Sequence, residues 1–481
     1  MKRICFFPFA LLFTFEATAQ GRIIEYDASL YGNIASKEHL PFWAISNRYG
    51  LVPDGNGGLL TLNASSPFTE KHQVQFSYGV SAAGYVSQAG NKLLPDQIYL
   101  STRWKKIRLD LGMIHREIDY AGISSSNGFV LFSNNARTLP GYNLRTDYIA
   151  VPFTKGIIAF KGNLADYLFT DKRYTQNARM HNKSFFGKIT ILKRFELIAG
   201  FEHYAQWAGK NSLNGQLPNS LEAYERVFFG KTGRGFGHTA SDVHKLGNHL
   251  MTRQVRINYI DDTYQLSLHY QNLMDDKSPP HTNFKSVPDG LYTFYIGSKD
   301  KTKCISDFVY EFTYTKWQTG KLNARLTTDE EKKEHPEWGS IFFYGSPEDY
   351  FNNSDYRSGW THYGRTIGTP LITPRQAGVD GITYGVFNNR VIGHHIGFSG
   401  LAFGKIPYKA LCTYTLNYGT YGSPLDDSPQ QQFSFGLEAG VPPLKAIPLK
   451  VDIGIYGDIG KFLGDNVGLT LKLSRQGQWG M

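Results

Sequence analysis

Segments in which apolar and polar side chains alternate recur along this chain from about residue 73 to its end. Alternation with a period of two places one kind of side chain on each face of a β-strand. After the first 20 residues no run of 18 consecutive apolar residues occurs, so the sequence predicts no transmembrane helix there. The clearest alternating segments are 107–113, 265–271, 433–441, 451–456 and 467–474.

Composition narrows the fold class further. Of 481 residues, 33 are Phe, 30 are Tyr and 50 are Gly, and 19% of the chain is charged. The aromatic content excludes a disordered chain, and the mean hydropathy of -0.34 excludes a bundle of membrane helices. Three Cys cannot form a disulfide scaffold, and the sequence does not decide whether Cys304 and Cys412 pair. The net charge of +10 is dispersed, so we expect no nucleic-acid partner.

The first 19 residues have the pattern of a signal peptide. A basic pair at residues 2–3 precedes an almost wholly apolar stretch from 4 to 15, and residues 17–19 match a small-x-small cleavage pattern. We therefore expect cleavage between Ala19 and Gln20 and export of the mature chain. A buried N-terminal strand is the alternative interpretation. No Cys directly follows the apolar stretch, so a lipid anchor is not expected.

Two folds satisfy the strand pattern. A soluble β-sandwich buries the apolar face against a second sheet, whereas a transmembrane barrel turns it to lipid and keeps the polar face in the lumen. The barrel is favoured because the segments run to about ten residues, longer than most soluble strands. Aromatic residues also cluster at segment ends, where an interfacial girdle would lie. These clusters are Tyr99/Trp104, Tyr204/Trp207, Tyr314/Trp317 and Tyr414/Tyr418.

The sequence thus predicts an all-β chain, a transmembrane antiparallel barrel in the cell outer membrane. We expect residues 20–57 to form a helical or irregular N-terminal segment and residues 58–481 to form the barrel, with 16 to 18 candidate strands. The long polar stretch at about 321–380 is expected to be a large loop or a plug. A helix is predicted after Asn219 or Ser220 as N-cap, with Gly230 as its stop.

The sequence shows no recognisable catalytic constellation. The chain has neither a His-Glu-x-x-His motif nor a Gly-x-Ser-x-Gly elbow, and Glu202 and His203 lack an identifiable third partner. The histidines at 238, 244 and 249 have no metal-ligand spacing on a regular element. We therefore predict that the protein is not an enzyme and has no metal and no cofactor.

Two polar segments with aromatic residues have the composition of a sugar-binding site. Aromatic faces stack on sugar rings, and Asn, Asp and Arg hydrogen-bond the hydroxyl groups. The alternative is a well-hydrogen-bonded loop that packs its own aromatic residues in the barrel mouth, and the residues alone favour this alternative. The glycan-binding candidates are His115, Arg116, Asp119 and Arg137 in the first segment, and Asn352, Asn353, Asp355, Tyr356, Arg357, Trp360, Tyr363 and Arg365 in the second.

The mature chain resembles the capsule-assembly Wzi family of bacterial outer-membrane proteins. The motifs that carry the resemblance are Tyr350-Phe351-Asn352-Asn353, Tyr356-Arg357-Ser358-Gly359-Trp360, Gly364-Arg365-Thr366-Ile367-Gly368, the segment 122–128, and Phe42-Trp43 followed by Tyr49-Gly50. The resemblance implies an 18-stranded antiparallel barrel with a small helical element on the periplasmic side.

It also implies a non-catalytic, lectin-like role, in which the protein attaches capsular polysaccharide or exopolysaccharide to the cell surface. The expected partners are this polymer and outer-membrane lipid, and we expect a monomer. No fixed set of glycan contacts carries over from the family. A porin-like diffusion channel and an outer-membrane hydrolase are the alternative functions, and an open lumen or an activated nucleophile would distinguish them.

Overall fold

The computed structural model describes residues 23–69, 73–233, 235–236, 245–275, 286–320, 323–334, 339–344, 348–442 and 449–480. These residues form a closed antiparallel barrel of 18 strands, as the sequence predicts. The predicted signal peptide and its cleavage site between Ala19 and Gln20 lie outside the described residues.

The strands are numbered in chain order. They are β1 (Ile23–Ala35), β2 (Gly57–Ser66), β3 (Val74–Ser87), β4 (Gly90–Trp104), β5 (Ile107–Met113), β6 (Gly141–Thr146, continued by Ile149–Ala150), β7 (Ile158–Leu168), β8 (Arg179–Ile191), β9 (Phe195–Trp207), β10 (Asn248–Ile260), β11 (Tyr264–Asp275), β12 (Gly290–Ser298), β13 (Asp307–Tyr314), β14 (Val391–Ala402), β15 (Ile406–Asn417), β16 (Gln430–Val441), β17 (Lys450–Gly460) and β18 (Asn466–Gly480). Each strand pairs with its neighbours in this order.

The barrel closes where β1 pairs with β18. The register runs from Ile23 opposite Gly480 to Ala35 opposite Gly468, and β1 pairs with β2 along its other edge. The prediction of a helical or irregular segment over 20–57 is therefore wrong for Ile23–Ala35. This stretch is a strand because it pairs along both edges, and one of its two partners lies at the far end of the chain, where no local pattern points to it.

The strands carry apolar side chains outward and polar side chains inward. On β1, Leu30 is 54% exposed, whereas the neighbouring Ser29 is buried. On β18, Leu469 and Leu471 are exposed and Thr470 between them is buried. A water-soluble protein would have the opposite distribution. An exposed apolar belt around a polar interior is the pattern of a barrel that spans a membrane.

The two ends of the barrel differ. At the end that holds both termini of the sheet, the connections are short, such as 105–106 and 403–405; we call it the turn end. The other end, which we call the loop end, carries the long connections 36–56, 114–140, 208–247 and 315–390, although β3 and β4 are joined there by a tight turn. In outer-membrane barrels the short turns face the periplasm and the long loops face outward.

Four short helices lie in the described loop-end connections. They are α1 (Phe42–Ile45), a 3-10 turn (Tyr120–Gly122), α2 (Leu221–Phe229) and α3 (Asp329–Glu334). The predicted helix α2 is confirmed: the Ser220 side chain accepts a bond from the amide of Ala223, and Gly230 ends the helix at a φ of 63°. A glycine suits this left-handed position because it has no Cβ.

Three loop-end connections fold back into the lumen and form a plug. From 36–56, the indole of Trp43 donates to the Thr413 hydroxyl of β15 at 3.2 Å. From 114–140, the carbonyl of Ile123 meets Nε2 of His395 on β14 at 2.8 Å. The third is 348–390, so the described part of the stretch expected at 321–380 divides. Residues from 348 onward belong to the plug, whereas Asn323–Leu326 and Ile341–Tyr344 pair as a separate small hairpin.

Adjacent positions on β6 test which face of the barrel meets lipid. Leu144 is exposed on the outward face, and Asn143 faces the lumen. Leu144→Lys should cost about 2–4 kcal/mol if the residue lies near the bilayer midplane, and should reduce assembly. The same substitution at Asn143 should be tolerated. Heat-modifiable mobility on gels after membrane extraction measures folding, and equal tolerance at the two positions would contradict the assignment of faces.

Candidate functional site

The aromatic residues of the second predicted segment form the centre of the plug. Tyr350, Phe351 and Trp360 have no solvent-exposed surface. The indole of Trp360 donates to the carbonyl of Leu131 at 2.7 Å and meets the ring of Tyr204 edge-on at 5.9 Å. Trp360 therefore has no face free to stack on a sugar, and its burial runs against its assignment as a glycan contact.

The neighbouring polar candidates stabilise the same loop. Oδ1 of Asn353 accepts from the backbone amides of Asp355 and Tyr356, at 2.9 and 3.2 Å. The side chain of Asn352 accepts from the amide of Val386 at 2.8 Å and donates to its carbonyl. Asp355 and Tyr356 are buried. For these four residues the structure matches the alternative of a loop that packs and bonds its own side chains.

Arg357 and Tyr363 are the candidates of this segment that reach the surface. The guanidinium of Arg357 lies 5.0 Å from the ring of Tyr174, which in turn lies 6.3 Å from the ring of Tyr384. Arg365 is half-buried, and burial lowers its pKa. The structure thus separates Arg357 and Tyr363 from the core residues only a few positions away.

A second arginine lies over the face of a tyrosine ring nearby. Arg137 of the first segment sits 4.2 Å from the ring centre of Tyr363, and the Tyr363 hydroxyl donates to the carbonyl of Thr170 at 3.0 Å. Thr170 and Tyr174 lie on the same connection, four residues apart, so the backbone that contacts Tyr363 is at most about 14 Å from the backbone of Tyr174. We call these residues the loop-end tyrosine cluster, which comprises Arg137, Tyr174, Arg357, Tyr363 and Tyr384.

Sequence reasoning missed two members of this cluster. Tyr174 lies in the connection between β7 and β8. Tyr384 lies sixteen residues beyond the end of the predicted segment at 368. Neither stands in a motif, so nothing in the local sequence distinguishes them from other loop tyrosines. Their role depends on the fold, which brings three separate connections together at one surface.

The remaining candidates line a cavity in the lumen. Its volume is about 650 Å³, and its wall is formed by the lumen faces of β5 to β11 and by the connection 114–140. His115, Arg116 and Asp119 line it, and so does Arg137. Strand residues next to the turns, such as Lys188 and Asn258, also line the cavity, so it extends to the turn end.

Charges in this cavity are balanced. Arg145 bonds to Glu117 at 2.8 Å, and Lys188 bonds to Glu196 at 2.6 Å. Burial opposes ionisation of Glu117, but the hydrogen bond and charge of Arg145 lower its pKa overall. The lining contains six basic residues (Arg116, Arg137, Arg145, Lys161, Lys188, Arg256) and six acidic ones (Asp110, Glu117, Asp119, Asp147, Glu196, Glu202). The lining therefore has equal numbers of formally basic and acidic side chains.

His115 and Arg116 support the plug where it forms the cavity wall. The ring of His115 stacks on Tyr49 at 3.6 Å, and its Nε2 bonds to Asp96 at 2.7 Å. Arg116 lies over the rings of Phe129 and Phe132, at 4.9 and 4.5 Å. The stacking of His115 on Tyr49 joins the first plug connection to the second, and the contacts of Arg116 stabilise the second connection internally.

Histidine and cysteine side chains are the usual candidates for metal binding and nucleophilic chemistry. His203 and His249 share a hydrogen bond of 2.8 Å beneath α2. Across the described ranges, no group of three or more His, Cys, Asp or Glu side chains is arranged to hold a metal ion. His238 and His244 lie outside those ranges. Cys304 and Cys412 are not bonded to each other.

Comparison with known proteins relates the chain to other barrels. No family model and no curated protein matches the sequence. Among solved structures, it is similar to Wzi of Escherichia coli, an outer-membrane protein involved in group 1 capsule assembly and a carbohydrate-binding β-barrel. The identity is 10%, 93% of this chain and 83% of that chain are covered, and the TM-score is 0.56.

Two outer-membrane proteins of Pseudomonas aeruginosa are also similar. For OccK3 the identity is 11%, with 95% and 96% coverage and a TM-score of 0.47. For OprD the identity is 10%, with 96% and 97% coverage and a TM-score of 0.44. At these identities the likeness to Wzi establishes the barrel fold and not the activity.

Substitution of Trp360 tests whether this ring stabilises the core of the plug. Trp360→Ala should remove about 3–5 kcal/mol of packing from the plug, whereas the strand pairing of the barrel does not depend on this ring. We expect new protease cleavage within 348–390 while heat-modifiable mobility is kept. Trp360→Phe is the control: it keeps an aromatic ring and loses one hydrogen bond, worth about 1 kcal/mol. Unchanged protease resistance of the Ala variant would show that the ring is not central.

His362 makes the plug sensitive to acid. Its Nδ1 donates to the Arg137 carbonyl at 2.9 Å, its Nε2 bonds to the Thr170 hydroxyl at 3.2 Å, and burial lowers its pKa to about 4. An unfolded histidine has a pKa of about 6.5, so below that pH the unfolded segment binds more protons and stability falls.

The loss should reach about 2 kcal/mol by pH 5. Hydrogen exchange of 358–366 should therefore accelerate between pH 7 and pH 5, and His362→Gln should remove most of this dependence. A variant that retains the full pH dependence would assign the effect to another group.

Proposed function

We propose that this protein is a Wzi-type outer-membrane barrel that binds capsular polysaccharide or exopolysaccharide at the cell surface and does not conduct solutes. The observation that carries the proposal is the plug. Barrels of 16 to 18 strands ordinarily leave an aqueous channel. Here the lumen holds an apolar core, including Leu131, Tyr350, Phe351 and Trp360, all at most 1% exposed. The predicted signal peptide, the lipid-facing belt and the likeness to Wzi support an outer-membrane location.

The loop-end tyrosine cluster is the proposed contact with the polymer. Tyr363 and Tyr384 are each 40% exposed, and Arg357 is exposed. Partly exposed rings provide stacking area at low entropic cost, and a guanidinium pairs with carboxylates in two parallel hydrogen bonds. The cluster therefore fits a polysaccharide that contains acidic sugars. This proposal keeps Arg137, Arg357 and Tyr363 from the predicted contacts and replaces the others with Tyr174 and Tyr384.

A retention assay tests this contact. In a strain that produces the polymer, Arg357→Gln combined with Tyr384→Ser should shift polymer several-fold from the cell-bound to the shed fraction. Heat-modifiable mobility should be unchanged, because both side chains lie on the surface of the plug. Lys105→Gln is the matched control, since Lys105 lies 5.1 Å from the ring of Trp104 at the turn end.

The possible results of this assay distinguish an error in the proposed contact from an error in the proposed function. Normal retention by the folded double variant would exclude the cluster as the contact. Normal retention by a strain that lacks the protein would contradict the function itself. Shedding by the Lys105 control would indicate a general effect of lost surface charge.

A solute channel is the second candidate function, and the lumen cavity favours it. A cavity of about 650 Å³ that extends to the turn end could hold a small solute below a movable plug. Planar-bilayer recording distinguishes the two functions. We expect no stable conductance from the wild-type protein and increased conductance from Trp360→Ala. Steady conductance of the wild type would favour the channel.

A further inference from the structure

A basic patch lies on the outward side of the barrel at the loop end. It comprises Lys316, Arg390, Tyr418 and Tyr421, which follow or precede the adjacent strands β13, β14 and β15. The ammonium group of Lys316 lies 4.3 Å from the ring centre of Tyr418, and the guanidinium of Arg390 lies 3.8 Å from that of Tyr421. Arg390 is also 5.8 Å from the Tyr418 ring, so both cations share one aromatic platform.

Strand pairing sets the direction of these side chains. The amide of Thr315 bonds to the Val391 carbonyl at 2.9 Å, and the amide of Tyr418 bonds to the Arg390 carbonyl at 3.0 Å, so the ladder continues past the strand ends. Thr315 and Val391 are buried toward the lumen. Lys316 and Arg390 alternate with them, and therefore face the same side as the lipid-facing residues of these strands.

Both cations are held in place without a carboxylate partner. In the described part of the chain, neither Lys316 nor Arg390 forms an ion pair. Arg390 Nε donates to the Lys316 carbonyl at 3.2 Å, and the Tyr421 hydroxyl donates to the Trp317 carbonyl at 3.0 Å. These bonds fix the positions of the arginine and of one ring. Two ordered positive charges thus stand at the edge of the apolar belt.

We propose that Lys316 and Arg390 bind the phosphate group of a glycolipid in the leaflet around the loop end. The proposal rests on the outer-membrane location but not on polysaccharide binding. Interfacial depth is where lipid phosphates lie, and tyrosine and tryptophan concentrate at the same depth. Arginine and lysine bind phosphate through charge-assisted hydrogen bonds. A soluble anionic protein fits less well, because the neighbouring outward surface of β13 to β15 is occupied by lipid.

Lipid binding to the purified mature barrel tests the proposal. The protein in zwitterionic detergent is mixed with bisphosphorylated lipid A or with lipid A that lacks both phosphates, and bound lipid is counted by native mass spectrometry. The wild type should retain about tenfold more of the phosphorylated lipid, as expected for charge-assisted bonds. Lys316→Gln combined with Arg390→Gln should reduce retention to that of the dephosphorylated lipid. Lys405→Gln, an exposed lysine at the turn end, should have no effect.

A single variant guards against misfolding, because Arg390 also bonds to the backbone. Lys316→Ala removes one charge and leaves that bond intact, and it should lower retention by an intermediate amount while heat-modifiable mobility is kept. Equal retention by wild type and double variant would overturn the proposal. So would complete displacement of the lipid by inorganic phosphate, which would show a site for free phosphate rather than for a lipid at membrane depth.

Discussion

A barrel of 18 strands that turns its apolar side chains to lipid encloses a polar lumen wide enough for an aqueous channel. In this protein a buried carboxylate anchors what fills it. Glu311 on β13 has no exposed surface and accepts bonds from the Ser124 hydroxyl and the Ser125 amide, both at 2.7 Å. Hydrogen bonds to a charged acceptor contribute about 1.5–3 kcal/mol each. This carboxylate therefore fixes the connection 114–140 across the lumen.

Neighbouring strands reinforce that anchor, and the rest of the plug is built on it. The Gln271 amide of β11 donates to the carbonyl of Gly128, and His395 of β14 bonds to the carbonyl of Ile123. Once these backbone groups are satisfied by the wall, the residues that follow can form an apolar core inside a polar lumen. The carbonyl of Leu131 then accepts from Trp360, which joins the third connection to the first two. Occlusion thus depends on polar wall residues that bind plug backbone, together with apolar wall residues such as Leu250 and Leu291 that pack in the same core as the plug.

The sequence predicted those features whose causes are local. Period-two alternation follows from strand geometry, and α2 is delimited by its own cap residues, Ser220 and Gly230. It did not predict β1, because one of the two pairings that make Ile23–Ala35 a strand involves residues more than 430 positions away. At the candidate site the sequence indicated the residue types, but not whether each side chain points into the plug core or to the surface. Trp360 and Tyr363 are three positions apart, yet one is buried and the other is 40% exposed. Sugar-binding and core-forming loops use the same aromatic and amide residues, so only the fold separates them.

The two proposed binding surfaces lie outside the lumen, and both use the same arrangement. In each surface a cation lies on a tyrosine ring. The pairs are Arg137/Tyr363 and Arg357/Tyr174 in the loop-end tyrosine cluster, and Lys316/Tyr418 and Arg390/Tyr421 in the basic patch. A ring face attracts the cation and limits its rotamers, at a gain of about 0.5–1 kcal/mol where the pair is exposed. A carboxylate partner would order the same cation but neutralise it. The ring orders it and leaves its charge available, so in both proposals the position of the cation decides the expected anion: polymer above the plug, or lipid phosphate beside the wall.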